Sequence, residues 1–237
     1  MPEALILFVA AFVHGLAGFA FALLAVPFLS FFQPLVLVVP LVALFGFTLN
    51  AVMLWWMRRD FRIRPVAGLL LGALPGVFLG AKALGFFPER IPRLILAVTV
   101  SGYALWEILH PGSTRGRISP SWGPVFGLAA GFLGGLLNTP GPPVVIYVSL
   151  LEMQKDALKS ALQGTFLILV GGVILAHGLY GNLTPAVWHL YGRYLPAVLA
   201  GMILGQILYF RLGERSYRRL VHFLLFLSAC ASLIRSF

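Results

Sequence analysis

The stretch Gly131-Phe-Leu-Gly-Gly-Leu-Leu-Asn-Thr-Pro-Gly-Pro-Pro143 decides the fold, because it places a helix-breaking sequence in the middle of an apolar segment. In the core of a lipid bilayer, every backbone N–H and C=O group needs a partner within the protein. Unwound backbone is stable at that depth only where it is packed inside the protein or lines a cavity. The stretch therefore indicates a membrane transporter whose substrate site lies at the break.

The chain as a whole has the composition of an integral membrane protein. Of its 237 residues, 60% are hydrophobic and 10% are charged, and the mean hydropathy is +0.96. Apolar segments fill almost the entire length, and most are close to the roughly 20 residues that a helix needs to cross a bilayer. Little sequence remains for a soluble domain. The segments cover residues 4–32, 35–57, 65–87, 91–109, 121–151, 158–180, 186–210 and 217–236.

The net charge of +10 would suggest a nucleic-acid partner if the protein were soluble. Here the basic residues cluster in short loops between apolar spans, where they act as topology signals. We therefore expect the lipid bilayer, and no nucleic acid, as the macromolecular environment. Cys230 is the single cysteine, and it lies inside the last apolar segment as ordinary packing.

The two halves of the chain resemble each other, as the halves of many transporters do. Short patterns of Gly, Ala and Leu recur in the same order with slowly growing offsets. This predicts an N-terminal repeat, residues 1–112, and a C-terminal repeat, residues 113–237. The matched stretches are Gly15–Gly18 with Gly131–Gly134, Pro27 with Pro143, Ala43–Gly46 with Ala161–Gly164, and Gly76–Gly80 with Gly201–Gly205.

The fifth apolar segment has the length of a hairpin. As one helix it would be about 46 Å long, too long for an upright span, whereas two full spans need roughly 40 residues. Proline suits the first turn of a helix, so Pro142 and Pro143 are predicted to start a second half-helix, with Gly141 allowing the bend. Asn138 or Thr139 is expected to cap it.

The distribution of Lys and Arg tests the hairpin. If the fifth segment crosses the membrane once, the cationic residues divide almost evenly between the two sides and specify no orientation. If it turns back, twelve of the 17 share one side, as the positive-inside rule expects. These twelve are Arg58, Arg59, Arg62, Arg64, Arg115, Arg117, Lys155, Lys159, Arg211, Arg215, Arg218 and Arg219.

The basic side is predicted to be the cytoplasm. By internal symmetry, the first segment also turns back, so each repeat is a broken, re-entrant helical segment followed by three transmembrane helices. Because three is odd, the two repeats are inverted relative to each other. The predicted fold is an all-α integral membrane protein with inverted repeats. The cytoplasmic loops are expected at 58–64, 112–120, 152–157 and 211–216.

Two motifs carry a resemblance to a known family. Gly15-Leu-Ala-Gly-Phe-Ala-Phe-Ala-Leu-Leu-Ala-Val-Pro27 and the stretch ending at Pro143 look like the paired signatures of the TauE/SafE family of sulfite and organosulfonate exporters. The likeness covers essentially the whole chain. It implies export of a small sulfur-containing anion, such as sulfite or sulfoacetate, across the bacterial inner membrane. This chain has Asn138-Thr-Pro140 where the family usually has Gly-Thr-Gly, and Ala20 and Ala22 where glycine is common.

The chemistry of the breaks also favours an anion. The N-terminus of a half-helix carries unpaired N–H groups and roughly half a positive charge. Two such ends are expected to face each other, one around Ala25–Pro27 and one around Thr139–Pro143. Nearby hydroxyl and amide groups either bind the anion or form ordinary interhelical hydrogen bonds. The predicted substrate site comprises Asn138, Thr139, Pro140, Gly141, Pro142, Pro143, Gly15, Gly18, Ala25, Val26, Pro27, Gln163, Asn50, Thr48, Thr165, Arg193 and Lys82.

Three ionisable side chains have two interpretations each. Arg193 and Lys82 either reach a buried anion or extend along their stems to the membrane surface. His14, inside the first broken segment, either carries a coupling proton or is a satisfied packing residue. The acidic residues all lie at or near loops, so no buried carboxylate is predicted to relay protons or sodium.

Other function classes remain as alternatives. An anion-selective channel is the closest alternative, followed by an intramembrane enzyme and an assembly factor. The chain has no His-Glu-x-x-His pair, Gly-x-Ser-x-Gly elbow or Cys/His cluster, so neither catalysis nor a metal or other cofactor is predicted. Glycine steps such as Gly76-x-x-x-Gly80 and Gly201-x-x-x-Gly205 favour close helix packing, either within one subunit or in a homodimer.

Overall fold

The computed structural model describes residues 2–57, 62–109, 118–151, 153, 155–209, 228 and 230–234. In this part of the chain the regular structure is helical, as predicted, and no strand is present. Two 3-10 turns, Arg64–Val66 and Pro120–Trp122, precede the fourth and sixth helices. The helices are α1 Pro2–Ala17, α2 Phe21–Leu29, α3 Leu35–Met57, α4 Ala67–Phe86, α5 Arg90–Leu109, α6 Gly123–Leu137, α7 Gly141–Ser149, α8 Lys155–Leu179 and α9 Pro185–Tyr209.

Both segments that were predicted to be broken contain a break. The first segment consists of α1 and α2, separated by residues 18–20, and the fifth consists of α6 and α7, separated by residues 138–140. Each first helix ends at a residue with a left-handed backbone, Gly18 with φ of 84° and Asn138 with φ of 51°. Glycine adopts this conformation without strain, and asparagine is one of the few other residues that tolerate it. The predicted interruptions are therefore confirmed.

The start of α7 follows the prediction made from its prolines. Pro142 and Pro143 occupy its first turn, where a missing N–H costs nothing because it would have no partner within the helix. The predicted cap by Asn138 or Thr139 is wrong. The residue before the helix is Pro140, and no side chain caps the first turn. Asn138 is committed instead to the left-handed end of α6.

The start of α2 differs from the prediction. The helix begins at Phe21 rather than near Ala25, and Pro27 lies within it. A proline inside a helix leaves the carbonyl four residues earlier, here that of Leu23, without its N–H donor. The hydroxyl of Ser228 donates to the carbonyl of Leu23 and restores the missing bond. Sequence spacing alone could not reveal this distant partner.

Two helix pairs approach each other closely through glycine, α4 with α6 and α1 with α9. A methyl group added at Gly76 of α4 would stand 2.4 Å from the carbonyl oxygen of Leu128 in α6. A methyl group added at Gly201 of α9 would stand 2.3 Å from that of Phe8 in α1. Each broken segment is thus packed through its first helix against a helix from the other half of the chain. These predicted glycine steps are used inside one subunit.

The same contacts correct the register of the sequence match. Gly15 lies against the carbonyl of Met202 and Gly135 against that of Val77. The match of Gly76–Gly80 with Gly201–Gly205 pairs Val77 with Met202, so the contacts align Gly15 with Gly135 rather than with Gly131. The left-handed ends of α1 and α6 correspond in this same register. The sequence match differs from this contact alignment by one helical turn, a shift that keeps residues on nearly the same helix face and so preserves the glycine pattern.

Four described helical stretches are long and apolar enough to cross a membrane: Leu35–Trp56, Arg64–Phe86, Pro120–Leu137 and Ser160–Leu179. The helices α5 and α9, with 20 and 25 residues, also have sufficient length. By contrast, α2 and α7 have nine residues each and span only about 13 Å. The predicted loops 58–64, 112–120, 152–157 and 211–216 and the last segment, 217–236, lie partly or wholly outside the described residues.

Candidate functional site

The two breaks meet at one small cavity of about 30 Å³. The first break contributes Phe19 and the start of α2, and the second contributes residues 138–141. Gly46 and Asn50 of α3 complete the polar side of the wall. Among the described residues that line it, none is a lysine, arginine, aspartate or glutamate. A volume of this size has room for one or two water molecules.

Both short helices point their N-terminal ends at the cavity. The backbone N–H groups of Phe21, Ala22 and Leu23 begin α2, and that of Gly141 begins α7. Within the described part of the chain, these four N–H groups have no acceptor. Unpaired donors at a helix N-terminus, together with the helix dipole, favour a negatively charged ligand. The predicted pair of facing helix ends is therefore present, with its first member at Phe21.

Three buried polar oxygens at the cavity also have no hydrogen-bond partner among the described residues. They are Oδ1 of Asn50, Oδ1 of Asn138 and Oγ1 of Thr139, in side chains that are 4%, 2% and 1% exposed. The orientation of the Asn50 amide is fixed, because its Nδ2 donates to the carbonyl of Gly46 over 2.7 Å. Buried polar atoms normally have partners, so this cluster marks a place for a polar ligand or water.

The other predicted amide and hydroxyl groups lie around the cavity wall rather than on it. Gln163 of α8 donates its Nε2 to the carbonyl of Gly18, so it supports the first break. The Thr48 hydroxyl lies 3.0 Å from the carbonyl of Leu44 and 2.7 Å from the Tyr191 hydroxyl, which ties α3 to α9. Thr165 is fully buried, and its hydroxyl has no partner among the described residues.

Several predicted backbone positions are structural rather than cavity-lining. Gly15 permits the close approach of α1 to α9, and Gly18 forms the left-handed end of α1. Ala25, Val26 and Pro27 do not line this cavity, because they are buried within α2 beyond its N-terminus. Pro142 and Pro143 line a separate apolar groove between α5, α6 and α7.

The structure does not bring the two predicted cations to the cavity. Lys82 and Arg193 are both exposed on the outside of the helix bundle. The Arg193 guanidinium carbon lies 5.6 Å from the centre of the Tyr194 ring, a cation–π arrangement. This geometry fits the interpretation in which the long side chains reach outward.

His14 does line the cavity, as its position in the first broken segment predicted. Its side chain is buried, and its ring meets the Phe21 ring edge-on with 6.3 Å between centroids. Of the described residues that line the cavity, it is the one histidine.

His177, near the end of a segment in the sequence, is a buried side chain with hydrogen-bond partners on both ring nitrogens. Its ring is fully buried at the end of α8, with Nε2 2.9 Å from the carbonyl of Gly135 and Nδ1 2.9 Å from Nδ2 of Asn182. Because an amide N–H donates to Nδ1, Nε2 carries the proton and donates to the carbonyl. The carbonyl of Gly135 lacks its helical partner because α6 ends at Leu137. His177 therefore supports the second break, as Gln163 supports the first.

Comparison with known families agrees with these observations. The chain matches the family described as sulfite exporter TauE/SafE over residues 4–232, nearly its whole length. Neither the curated proteins nor the solved structures give a match. The match covers both breaks, the helices that frame the cavity and both predicted repeats. The chain is thus an integral, multi-pass membrane protein that belongs to the sulfite exporter TauE/SafE family of transporters.

Proposed function

We propose that the protein exports a small sulfur-containing anion, such as sulfite, sulfoacetate or a related organosulfonate, by alternating access. The anion binds near the middle of the membrane, at the cavity between the two breaks. The observation that carries this proposal is the meeting of two short helix N-termini with buried, unpartnered polar atoms at one cavity. In the low dielectric of a membrane protein, such an arrangement attracts an anion strongly.

The proposed machinery consists of two inverted repeats, residues 1–112 and 113–237. The reciprocal packing of α1 on α9 and of α6 on α4 supports this division. Three helices follow each broken segment in the proposed topology, so the second repeat enters the membrane from the opposite side. The loops rich in Lys and Arg then lie in the cytoplasm of a bacterial cell, whose inside-negative potential favours outward movement of an anion.

Alternating access also accounts for the small size of the cavity. A space of about 30 Å³ holds one or two waters and is closed around its polar groups. An anion with several heavy atoms needs the two breaks to move apart before it can enter. The described conformation therefore corresponds to a closed state in this proposal, and opening toward either side would admit or release the anion.

Flux in proteoliposomes tests the proposal. A transporter gives saturable uptake of sulfite or a sulfonate and exchanges labelled anion in counterflow, whereas a channel gives neither saturation nor counterflow. Turnover of the anion without movement would indicate an enzyme. The absence of any protein-dependent flux of sulfur-containing anions would contradict the proposed function.

A matched pair of glycine variants tests the location of the site. Gly46→Val fills the cavity, because a methyl group at Gly46 already stands 3.8 Å from Nδ2 of Asn138. Gly192→Val on α9 makes the same change where no atom lies within 4 Å. We expect Gly46→Val to abolish flux while the protein still inserts and folds, and Gly192→Val to transport normally. Normal flux in Gly46→Val would place the site elsewhere.

A further inference from the structure

We propose that the transported species is a singly charged oxyanion that carries one proton of its own, of which hydrogen sulfite is the example among sulfur-containing anions. This inference rests on the proposed export function and specifies its substrate. It follows from three features of the cavity: its charge, its donors and its acceptors.

The charge of the cavity matches one negative charge. The N-termini of α2 and α7 each supply about half a positive charge, so together they supply about one. Among the described cavity-lining residues there is no lysine or arginine to add to it. A dianion such as fully deprotonated sulfite would leave about one negative charge uncompensated in a low-dielectric site, which is costly.

The hydrogen-bond donors lie mostly on one side of the cavity. Three consecutive N–H groups, those of Phe21, Ala22 and Leu23, begin α2 at the cavity. The start of α7 offers only the N–H of Gly141, because the two prolines that follow have none. One face of the ligand therefore meets a row of donors, to which the oxygens of an anion bind.

The acceptors lie at the second break and on α3. Asn138 and Asn50 each present an amide Oδ1 that has no partner among the described residues. For Asn50 this assignment is firm, because its amide nitrogen is held by the carbonyl of Gly46. Fully deprotonated sulfite and simple sulfonates offer only acceptors, so they would leave both amide oxygens without a donor. Hydrogen sulfite in its O–H form can donate to one of them while its other oxygens accept from α2.

This assignment provides proton coupling without a proton relay in the protein. Each anion would carry one proton and one negative charge out of the cell. His14 is the one titratable side chain among the described cavity residues, so it is the alternative source of any pH dependence. A test therefore has to separate a proton on the anion from a proton on His14.

The first measurement is the charge that moves with each anion. Proteoliposomes hold a sulfite gradient at equal pH on both sides, and the potential that stops net flux is recorded, with protein-free liposomes subtracted for passive leak. A monoanion is balanced by about 59 mV for each tenfold gradient and a dianion by about 30 mV. We expect the larger value. The smaller value would overturn the inference but not the proposed export function. The absence of protein-dependent flux of any sulfur-containing anion would contradict the export function itself.

The second measurement compares sulfite with methanesulfonate, a monoanion without an O–H group, which the unmodified protein is expected to carry more slowly than sulfite. Asn138→Gly keeps a residue that accepts the left-handed backbone but removes the amide oxygen. We expect it to lower sulfite flux about tenfold and methanesulfonate flux less than about twofold. Gln206→Met is the control, because it removes an amide oxygen that also has no partner among the described residues but lies away from the cavity. Equal losses for both anions in Asn138→Gly would overturn the inference.

The third measurement is the pH profile. At fixed total sulfite, flux should follow the singly protonated fraction and fall as the pH rises through the second dissociation of the anion. His14→Gln should keep this profile, since the proton belongs to the anion. A flat profile in His14→Gln would assign the proton to His14 and overturn the inference.

Discussion

Gln163 of α8 donates its side-chain N–H to the backbone carbonyl of Gly18, the left-handed residue that ends α1. The two residues are 145 positions apart in the chain. A helix end in the core of a membrane protein has carbonyl groups that lie away from bulk water and need other partners. The first break is therefore stabilised by a side chain from the second half of the chain.

Removing this donor should destabilise the protein. Gln163→Leu leaves the carbonyl of Gly18 buried without a partner, at a cost of about 1–3 kcal/mol. Thermal unfolding in detergent should show a lower midpoint. Thr165→Val is the control, because it removes from the same helix a buried hydroxyl that bonds to no group in the described part of the chain, and it should leave the midpoint unchanged or raise it. Equal midpoints for Gln163→Leu and the unmodified protein would contradict a structural role for this bond.

The second break should respond to His177 and Asn182 as a coupled pair. Asn182→Ala removes the donor that fixes the ring, so Nε2 no longer points reliably to the carbonyl of Gly135. We expect Asn182→Ala and His177→Ala each to lower the free energy of unfolding by about 1 kcal/mol or more. The double variant should lose less than the sum of the two single losses. A double-mutant cycle of unfolding free energies measures this. Strict additivity would show that the two side chains act independently.

The close pairing of α4 with α6 should tolerate no side chain at its contact points. A methyl group at Gly72 would stand 2.0 Å from the carbonyl oxygen of Pro124, which is backbone and cannot turn away. Gly72→Ala should therefore reduce the yield of folded protein and lower the unfolding midpoint by several degrees. Gly102→Ala on α5 meets no atom within 4 Å and should have no such effect, since alanine favours the helix. Similar behaviour of the two variants would exclude tight packing as the cause.

Arg193 should be dispensable for transport. Its side chain is exposed and lies over the Tyr194 ring, outside the cavity. Arg193→Gln should keep at least half of the flux of the unmodified protein in proteoliposomes, with protein incorporation measured in parallel. Loss of flux at normal incorporation would indicate that Arg193 binds the anion.

The predicted hairpin of the fifth segment determines the sides of two loops. Reporter fusions at Gly116 and Lys155 should both report the cytoplasm, because a re-entrant segment returns to the side from which it entered. Opposite sides would show that the segment crosses the membrane once. The fusion data would also decide whether the second repeat is inverted.

The sequence alone predicted the features that depend on local chemistry. The breaks were found because glycine, asparagine and proline interrupt apolar segments, and the first turn of α7 was found because proline fits there. The start of α2 was missed because the effect of Pro27 is offset by Ser228, 205 positions from the carbonyl it satisfies. No local pattern contains such a partner.

The candidate site was predicted in the same uneven way. Asn50, Asn138, Thr139 and His14 were identified because polar side chains are rare in apolar segments, and the structure brings all four to one cavity. The outward direction of the Arg193 side chain could not be predicted from the sequence, because it depends on which face of α9 packs against neighbouring helices. The partner of His177 could not be predicted, because it is a carbonyl left free by the end of α6, a feature of the folded chain.

The reciprocal glycine contacts join helices from different halves of the chain. α1 is held to α9 and α6 to α4 so closely that neither pair can slide apart without rebuilding its interface. The most closely packed helix pairs are therefore hybrids, each formed by one helix of the first half and one of the second. Any motion that parts the two breaks has to carry a whole hybrid, and expressing either half by itself would leave a glycine-lined face with nothing to close it.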